Sequence, residues 1–301
     1  MSDTGASILA KLKNRAKEKG ITYQQCLQLF FQEEFLRKLS KSDYVDNLVL
    51  KGGLFIYMLT NFESRVTIDI DFLLLRQSNT LQDVEEMIQR ILAIPTGNDY
   101  ITMTSNSFEK ISPQRKYNGI SAQIIGKIKN VRVPFNVDIG VGDVIVPKSE
   151  FRRINTQLPN FEVPKITTYS LESTIAEKFD AILQRYELTG RMKDFYDIYY
   201  LAQTFDFDGL KIQTAMYETL QNRGTPYEVD SFSRVMTLKN DLDMQTKWSY
   251  FLRTIKNDLL DFGEVMRVLQ CFLEPVFSTI LTECEWQKHW NAKMMKWDSK
   301  K

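Results

Sequence analysis

Two aspartates, Asp69 and Asp71, stand two residues apart in the run Arg65-Val66-Thr67-Ile68-Asp69-Ile70-Asp71-Phe72-Leu73-Leu74-Leu75, shortly after Lys51-Gly52-Gly53. Branched apolar residues dominate positions 66–75 and predict a strand. Side chains alternate along a strand, so Val66, Ile68, Ile70, Phe72 and Leu74 are expected on one face and Thr67, Asp69 and Asp71 on the other. The two carboxylates are then about 6.6 Å apart at the backbone, from a rise of about 3.3 Å per residue. At an effective dielectric of about 20 they repel by roughly 2.5 kcal/mol. A divalent cation turns that repulsion into attraction, and carboxylates together with phosphate oxygens are the usual magnesium donors. The competing reading is a strand with one solvated face and no metal. Aspartate is disfavoured in strands, and here two of them interrupt a strongly apolar segment, which favours the metal.

Other polar groups could join this chemistry. Val131, Val133, Phe135, Val137 and Ile139 alternate with Arg132, Pro134, Asn136 and Asp138, so Asp138 is a third carboxylate on the polar face of a strand. Gly140-Val141-Gly142 and Asp143 follow it directly. An exposed aspartate at a strand end is the plain alternative for Asp138. Lys178 lies on a helix whose stripe is Leu171, Ile175, Phe179 and Ile182. Arg191-Met192-Lys193-Asp194-Phe195-Tyr196-Asp197 opens the next helix, with Asp194 and Asp197 three apart on one face. An aspartate in a first turn also complements the helix dipole, so one of these two could be purely structural. Backbone N–H groups at a helix start cradle phosphate oxygens, and glycine allows close approach, which suits Gly52 and Gly53 to a nucleotide's phosphates. Each part fits phosphoryl or nucleotidyl transfer.

Histidine chemistry has little room. The one histidine, His289, lies between Trp286 and Trp290 with no acidic partner at an obvious spacing, so it reads as structural or exposed. Cys26, Cys271 and Cys284 lack any CxxC spacing and fit reduced thiols in the cytoplasm. A net charge of +1 gives no global preference for nucleic acid, although local basic patches stay open. With 43% hydrophobic and 26% charged residues, the composition is that of an ordinary soluble globular protein. The N-terminus has no apolar signal-peptide core, and no apolar run approaches a membrane span.

Several elements must position these groups. Two helices are expected in the first 40 residues, one from about Ser7 to Lys19 and one after Thr22. Leu48-Val49-Leu50 reads as a short strand turned by Lys51-Gly52-Gly53 into a helix through Leu54, Met58 and Leu59. A helix from Leu81 to Ile94 opens with Thr80-x-x-Asp83. Residues 100–146 read as strands. From Pro164 onward the pattern is helical, and residues 210–297 read as further helices broken at Gly224-Thr225-Pro226 and Pro275. Trp286, Trp290 and Trp297 read as core or lid aromatics.

The chain resembles the AbiEii/AbiGii toxin family of nucleotidyltransferases, within the polymerase-beta-like superfamily. The resemblance rests on Leu50-Lys51-Gly52-Gly53, Arg65-x-Thr67-x-Asp69-x-Asp71, Val137-Asp138-Ile139-Gly140-Val141-Gly142-Asp143, Ala176-Glu177-Lys178-Phe179-x-Ala181-Ile182 and Arg191 to Asp197, in that order. It implies an α+β fold: a mixed sheet flanked by helices over residues 1–160, then a mostly helical domain over 161–301 that brings Lys178 and Asp194 to the active cleft. It implies Asp69, Asp71, Lys178 and Asp194 as catalytic residues, with Asp197 as partner of Asp194. Asp69, Asp71 and Asp138 are implied ligands of Mg2+, with Mn2+ as a substitute. Lys51, Gly52, Gly53, Arg65, Thr67, Lys178 and Lys193 are implied nucleotide contacts. One departure is that many relatives in the wider superfamily carry Gly-Ser where this chain has Gly-Gly, so backbone N–H groups must do more for the phosphate.

The implied reaction moves a nucleoside monophosphate from an NTP to an acceptor, tRNA or another RNA, in a toxin of a toxin–antitoxin or phage abortive-infection system. A cognate antitoxin would then be a partner, with no membrane involved. Two other readings stay open at the level of sequence. One is a glycosyltransferase holding a nucleotide sugar through Asp-x-Asp. The other is a non-catalytic protein that binds a nucleotide or a partner.

Overall fold

The computed structural model describes residues 4–111, 119–186, 190–257 and 259–299. Residues 112–118 of the strand-like stretch and 187–189 of the loop before Arg191 lie outside the described residues. By its internal contacts the chain divides into two units. One comprises residues 1–142 and 150–168, and the other residues 143–149 and 169–301.

In the first unit, helix α1 (Thr4–Lys19) ends at Gly20, whose φ of +65° suits glycine. Helix α2 (Tyr23–Ser40) starts in a full capping box. Thr22 accepts from the Gln25 backbone N–H, and the Gln25 side chain accepts from Thr22 N–H. The expected apolar stripe of α2 is only part of its burial: Gln32, Glu33, Glu34 and Arg37 are also enclosed. Arg37 holds Glu34 at 2.8 Å and Glu33 at 3.4 Å, which makes burial of these charges tolerable. Strand β1 (Leu48–Lys51) runs straight into α3 (Gly52–Leu59). Strand β2 (Ile70–Leu74) is followed by α4 (Leu81–Ala93), capped by Thr80. Then come β3 (Ile101–Ile111), β4 (Gly119–Ile128), β5 (Val131–Gly140), β6 (Glu150–Arg153) and β7 (Lys165–Thr168).

These seven strands form one mixed sheet in the order β3-β4-β5-β2-β1-β7-β6. β2 runs parallel to β5 and β1 parallel to β7, while the remaining pairs are antiparallel. The alternation read for β5 holds: Val133, Phe135, Val137 and Ile139 are buried, while Arg132, Pro134 and Asn136 are exposed.

The second unit is mostly helical. Helix α5 (Leu171–Arg185) is capped by Ser170, and α6 (Met192–Thr204) follows. A two-residue strand β8 (Phe207–Asp208) leads into α7 (Gly209–Arg223), which stops at Gly224 with φ +63°. Helices α8 (Ser231–Thr237), α9 (Leu242–Ile255) and α10 (Phe262–Leu281) complete the helical set among the described residues.

Besides the helical reading from Pro164, where Lys165–Thr168 instead form β7 beside β1 and β6, two expectations fail here. The helix does not break at Pro275 but continues through it. A helix-interior proline costs about 3 kcal/mol, partly through the hydrogen bond it cannot donate. The carbonyl so deprived is that of Cys271, an exposed residue, and burial of Val268, Leu269, Phe272, Leu273, Val276 and Phe277 carries the helix onward. The stretch to residue 297 is also not all helical. Strands β9 (Lys288–Asn291) and β10 (Lys296–Ser299) make a three-stranded sheet with β8, in the order β10-β9-β8. Of the tryptophans, Trp290 is a core residue there, and half-buried Trp286 and Trp297 pack around it as a ring cluster. Trp290 is fully buried with its ring 4.8 Å from Phe272, and Trp297 stacks on Phe272 at 5.7 Å. The three cysteines are free. Among the described residues no helix is long and apolar enough to cross a membrane.

Candidate active site

Register across the sheet places four polar residues in one row. Lys51 of β1 lies opposite Asp71 of β2, Asp71 opposite Asp138 of β5, and Asp138 opposite Ser121 of β4. Neighbouring strands are about 4.8 Å apart, so the two carboxylates stand side by side on one face and repel by roughly 3 kcal/mol at an effective dielectric of about 20. Ser121 Oγ relieves part of this by donating to Asp138 Oδ1 at 2.5 Å. Asp71 leans the other way, onto the glycine turn. A Cβ placed on Gly52 would stand 2.3 Å from Asp71 Oδ2, and Gly52 has a φ of +74°. Space and backbone conformation both demand glycine there. The turn's second glycine faces the 65–67 segment: a Cβ on Gly53 would meet Arg65 Nη2 at 2.9 Å and Thr67 Oγ1 at 3.2 Å. Lys51, Gly52, Gly53, Arg65, Thr67, Asp71 and Asp138 are thus one neighbourhood, at the start of α3 where backbone N–H groups have no helical acceptor.

Asp69 departs from the expected pattern. The strand begins at Ile70 rather than Val66, so Asp69 precedes it and does not share a strand face with Asp71. Ile68, expected on the core face, is 42% exposed. The reason lies in the neighbours. On one side β1 reaches only Lys51↔Asp71 before turning into α3, and on the other β5 pairs from Ile70↔Val137. Residues 66–69 have no ladder to flatten them into a strand. Their backbone is held from α2 instead, where Gln28 and Gln32 donate to the Ile68 carbonyl at 2.9 and 2.7 Å.

Among the described residues no three Asp, Glu, His or Cys side chains are gathered as a closed metal cluster. The predicted trio is an in-register pair, Asp71 and Asp138, plus an exposed Asp69. This donor set still suits a hard cation, because magnesium commonly takes one or two carboxylates and completes its shell with phosphate oxygens and water.

The second unit holds a different constellation. Lys178 Nζ donates to Asp197 Oδ2 at 2.5 Å and to Asp194 Oδ1 at 3.3 Å. Asp194 is fully enclosed and also accepts from Arg191, Nε to Oδ2 at 2.5 Å and Nη2 to Oδ1 at 3.3 Å. Asp194 sits in the first turn of α6, where the helix dipole also favours its charge. Lys193, next to Asp194 in the same first turn, is half-buried.

A further cluster was not legible in the sequence. Arg223, the last residue of α7, donates to Asp143 and Glu177 at 2.8 Å each and to Asp180 at 2.9 Å. Burial works against its charge, but Glu177, Asp143 and Asp180 outweigh that and raise its pKa. Burial, then Glu177, pushes the Tyr169 phenol well above its ordinary value, and its hydroxyl donates to Glu177 at 3.1 Å. Only the position of Arg223 before a stopping glycine was visible in advance. His289 stays at the surface as expected, although an acidic partner does exist, Asp206 at 4.0 Å.

A sequence model of the family described as the nucleotidyl transferase AbiEii toxin of a type IV toxin–antitoxin system matches residues 34–283. The fold is similar to that of MenT4, a nucleotidyltransferase toxin from Mycobacterium tuberculosis H37Rv, at 16% identity and a TM-score of 0.54, over 90% of this chain and 98% of that one. It is also similar to an H. pylori protein described as a nucleotidyltransferase, at 15% identity and a TM-score of 0.50, over 88% of this chain and 100% of that one. No curated protein sequence matches the chain. At such identities the structural likeness establishes the α+β fold, and the family match establishes the enzyme class. The chain belongs to the AbiEii family, nucleotidyl transferase toxins of type IV toxin–antitoxin systems.

Proposed function

We propose that this nucleotidyltransferase moves a nucleoside monophosphate from an NTP onto a hydroxyl of an RNA acceptor, such as tRNA, and releases pyrophosphate. The observation that carries the reading is the row Lys51–Asp71–Asp138, set against the Gly52-Gly53 start of α3. The N–H groups at the start of α3 bind triphosphate oxygens, with Lys51 and Arg65 adding positive charge and Thr67 and Gly53 shaping the turn. Asp71 and Asp138, with Asp69, would hold Mg2+, or Mn2+ in its place. Bound there, such an ion would supply Lewis-acid polarisation of the phosphate and of the acceptor hydroxyl.

Lys178, Lys193, Asp194 and Asp197 of the helical unit are assigned to the same reaction on the family resemblance alone. Lys178 and Lys193 meet the nucleotide's phosphates. Asp194, enclosed and shared between Lys178 and Arg191, orients those cations rather than taking a proton. Asp197 holds Lys178 from its other side.

An RNA acceptor is supported by a feature of the sheet. Lys127 and Arg132 are cross-strand partners, both exposed, on the same face as Ser121 and Asp138. Like charges set opposite one another are unfavourable, and neither forms an ion pair among the described residues. A backbone phosphate would relieve that repulsion. The two cations lie about 20 Å along the strand from Asp138, at about 3.3 Å per residue. A cognate antitoxin follows from family membership, and a role in abortive infection completes the proposal.

Incubation with labelled NTPs and total RNA or purified tRNA tests the chemistry. Label transfer that disappears in Asp71→Asn is expected. Absence of Asp71-dependent labelling with all four NTPs would count decisively against the proposal. The nucleotide-sugar reading loses its support with the family match, since its basis was the Asp-x-Asp spacing alone.

A further inference from the structure

Gln28 and Gln32 stand one turn apart on α2, and both side-chain amides donate to a single acceptor, the carbonyl of Ile68. That carbonyl belongs to the peptide that joins Ile68 to Asp69, so the two amides grip the backbone immediately before Asp69. The sheet does not do this, because its ladder starts one residue later, at Ile70. The Ile68 side chain adds little hold, being exposed.

Gln32 carries a second peculiarity. It is fully buried, yet its Oε1 has no hydrogen-bond partner among the described residues. An unpaired buried acceptor costs free energy. A methionine of similar length would fill the space without that cost. Packing alone would therefore be better served by an apolar side chain. What glutamine adds is the N–H directed at residue 68.

We propose that Gln28 and Gln32 are positioning residues that set where the Asp69 carboxylate stands beside Asp71, and so tune divalent-cation affinity; this rests on Asp69 being a metal ligand. Outer groups that orient a ligand commonly change metal affinity by about 10- to 100-fold when removed. Here the grip is on the ligand's backbone rather than on its carboxylate, so the lower end applies.

The test is Mn2+ binding to the full chain with a non-hydrolysable NTP analogue, read from the EPR signal of free Mn2+. Thermal midpoints are recorded alongside. Gln28→Met/Gln32→Met is expected to bind Mn2+ about 10-fold more weakly, with a midpoint equal to or above that of the unaltered protein. Asp69→Asn is expected to bind at least as weakly. If the double variant fails to fold, Gln28→Met alone, at the half-buried position, must show a part of that loss, about threefold. A folded double variant that keeps unaltered Mn2+ affinity, while Asp69→Asn loses it, leaves the Asp69 assignment standing and overturns the role of the glutamines. Unaltered affinity in Asp69→Asn overturns the metal-ligand assignment, and this inference with it.

Discussion

Asp71 and Asp138 face each other across a parallel strand pair, held in register by Ile70↔Val137 and Phe72↔Ile139 on either side. Both are half-buried, and the buried residues flanking them leave the carboxylates no freedom to move apart along the strands. The fold therefore keeps two like charges together whether or not anything binds them. Without a divalent ion, Asp138→Asn should raise stability by about 1 kcal/mol once solvent screening is allowed for, whereas Asp71→Asn also gives up its cross-strand neighbour Lys51 and should gain less. Both changes should abolish nucleotidyl transfer. Urea midpoints in EDTA check the first part, and Mg2+ should stabilise the unaltered protein but not Asp71→Asn. A fall in the EDTA midpoint of both variants would show that the pair is not under strain.

Gly52 and Gly53 should differ sharply in tolerance. Gly52→Ala meets a φ of +74° and a Cβ position 2.3 Å from Asp71 Oδ2. Its left-handed backbone alone costs about 1–2 kcal/mol, and displacement of Asp71 should remove activity. Gly53 has no positive φ, and the nearest atom to its Cβ position is the far end of the long Arg65 side chain. Gly53→Ser should cost under about 1 kcal/mol and retain more activity than Gly52→Ala. Thermal melts and labelled transfer on the two variants decide this, and equal losses would refute the distinction.

Lys178 is the shared partner of two enclosed carboxylates. Lys178→Met leaves Asp197 without this cation and Asp194 dependent on Arg191, so stability should fall by about 3–5 kcal/mol, the usual range for breaking a buried pair. Adding Asp197→Asn should recover part of the loss. A double-mutant cycle by urea unfolding measures the coupling, and simple additivity would mean that the pair contributes nothing as a pair.

Glu33 makes stability pH-dependent. Burial raises its pKa from the ordinary 4.5 to about 7, against the opposing influence of Arg37 and of the Gln157 N–H that donates to it. Between those values the folded protein binds more protons than the unfolded chain. The stabilisation is thus complete below pH 4.5 and is lost as pH rises through 7, about 3 kcal/mol in all. Glu33→Gln should flatten this slope. Unfolding free energies of the two proteins at pH 5 and pH 8 provide the comparison, and parallel pH profiles would remove Glu33 as the cause.

Local pattern carried much of this fold. The alternation in β5 and the capping residues Thr22, Thr80 and Ser170 are written in neighbouring residues, and each element formed as read. The glycine pair after β1 is legible for the same reason. Register is not local: nothing near Asp71 specifies that Asp138 lies beside it, since that depends on which strands meet. The same cause misled the reading of Asp69. Its segment has the composition of a strand, but only a paired neighbour would make it one. Arg223 has no local signature because its partners are 43 to 80 residues away in sequence. In α10, tertiary burial overrode the proline signal.

If the proposed site is the active one, the parallel pairing of β2 with β5 also sets when the protein can become active. Parallel strands need a long intervening connection, and pairings so distant in sequence form late, because chain entropy is lost before contacts repay it. During synthesis, Asp71 leaves the ribosome while β5 does not yet exist, and β1 must wait longer still for its neighbour β7. A partly made chain therefore cannot bring the two carboxylates together. In the proposed reaction, a truncated product ending before Val131 lacks Asp138 and cannot transfer nucleotides, so the chemistry waits for the centre of the sheet to close.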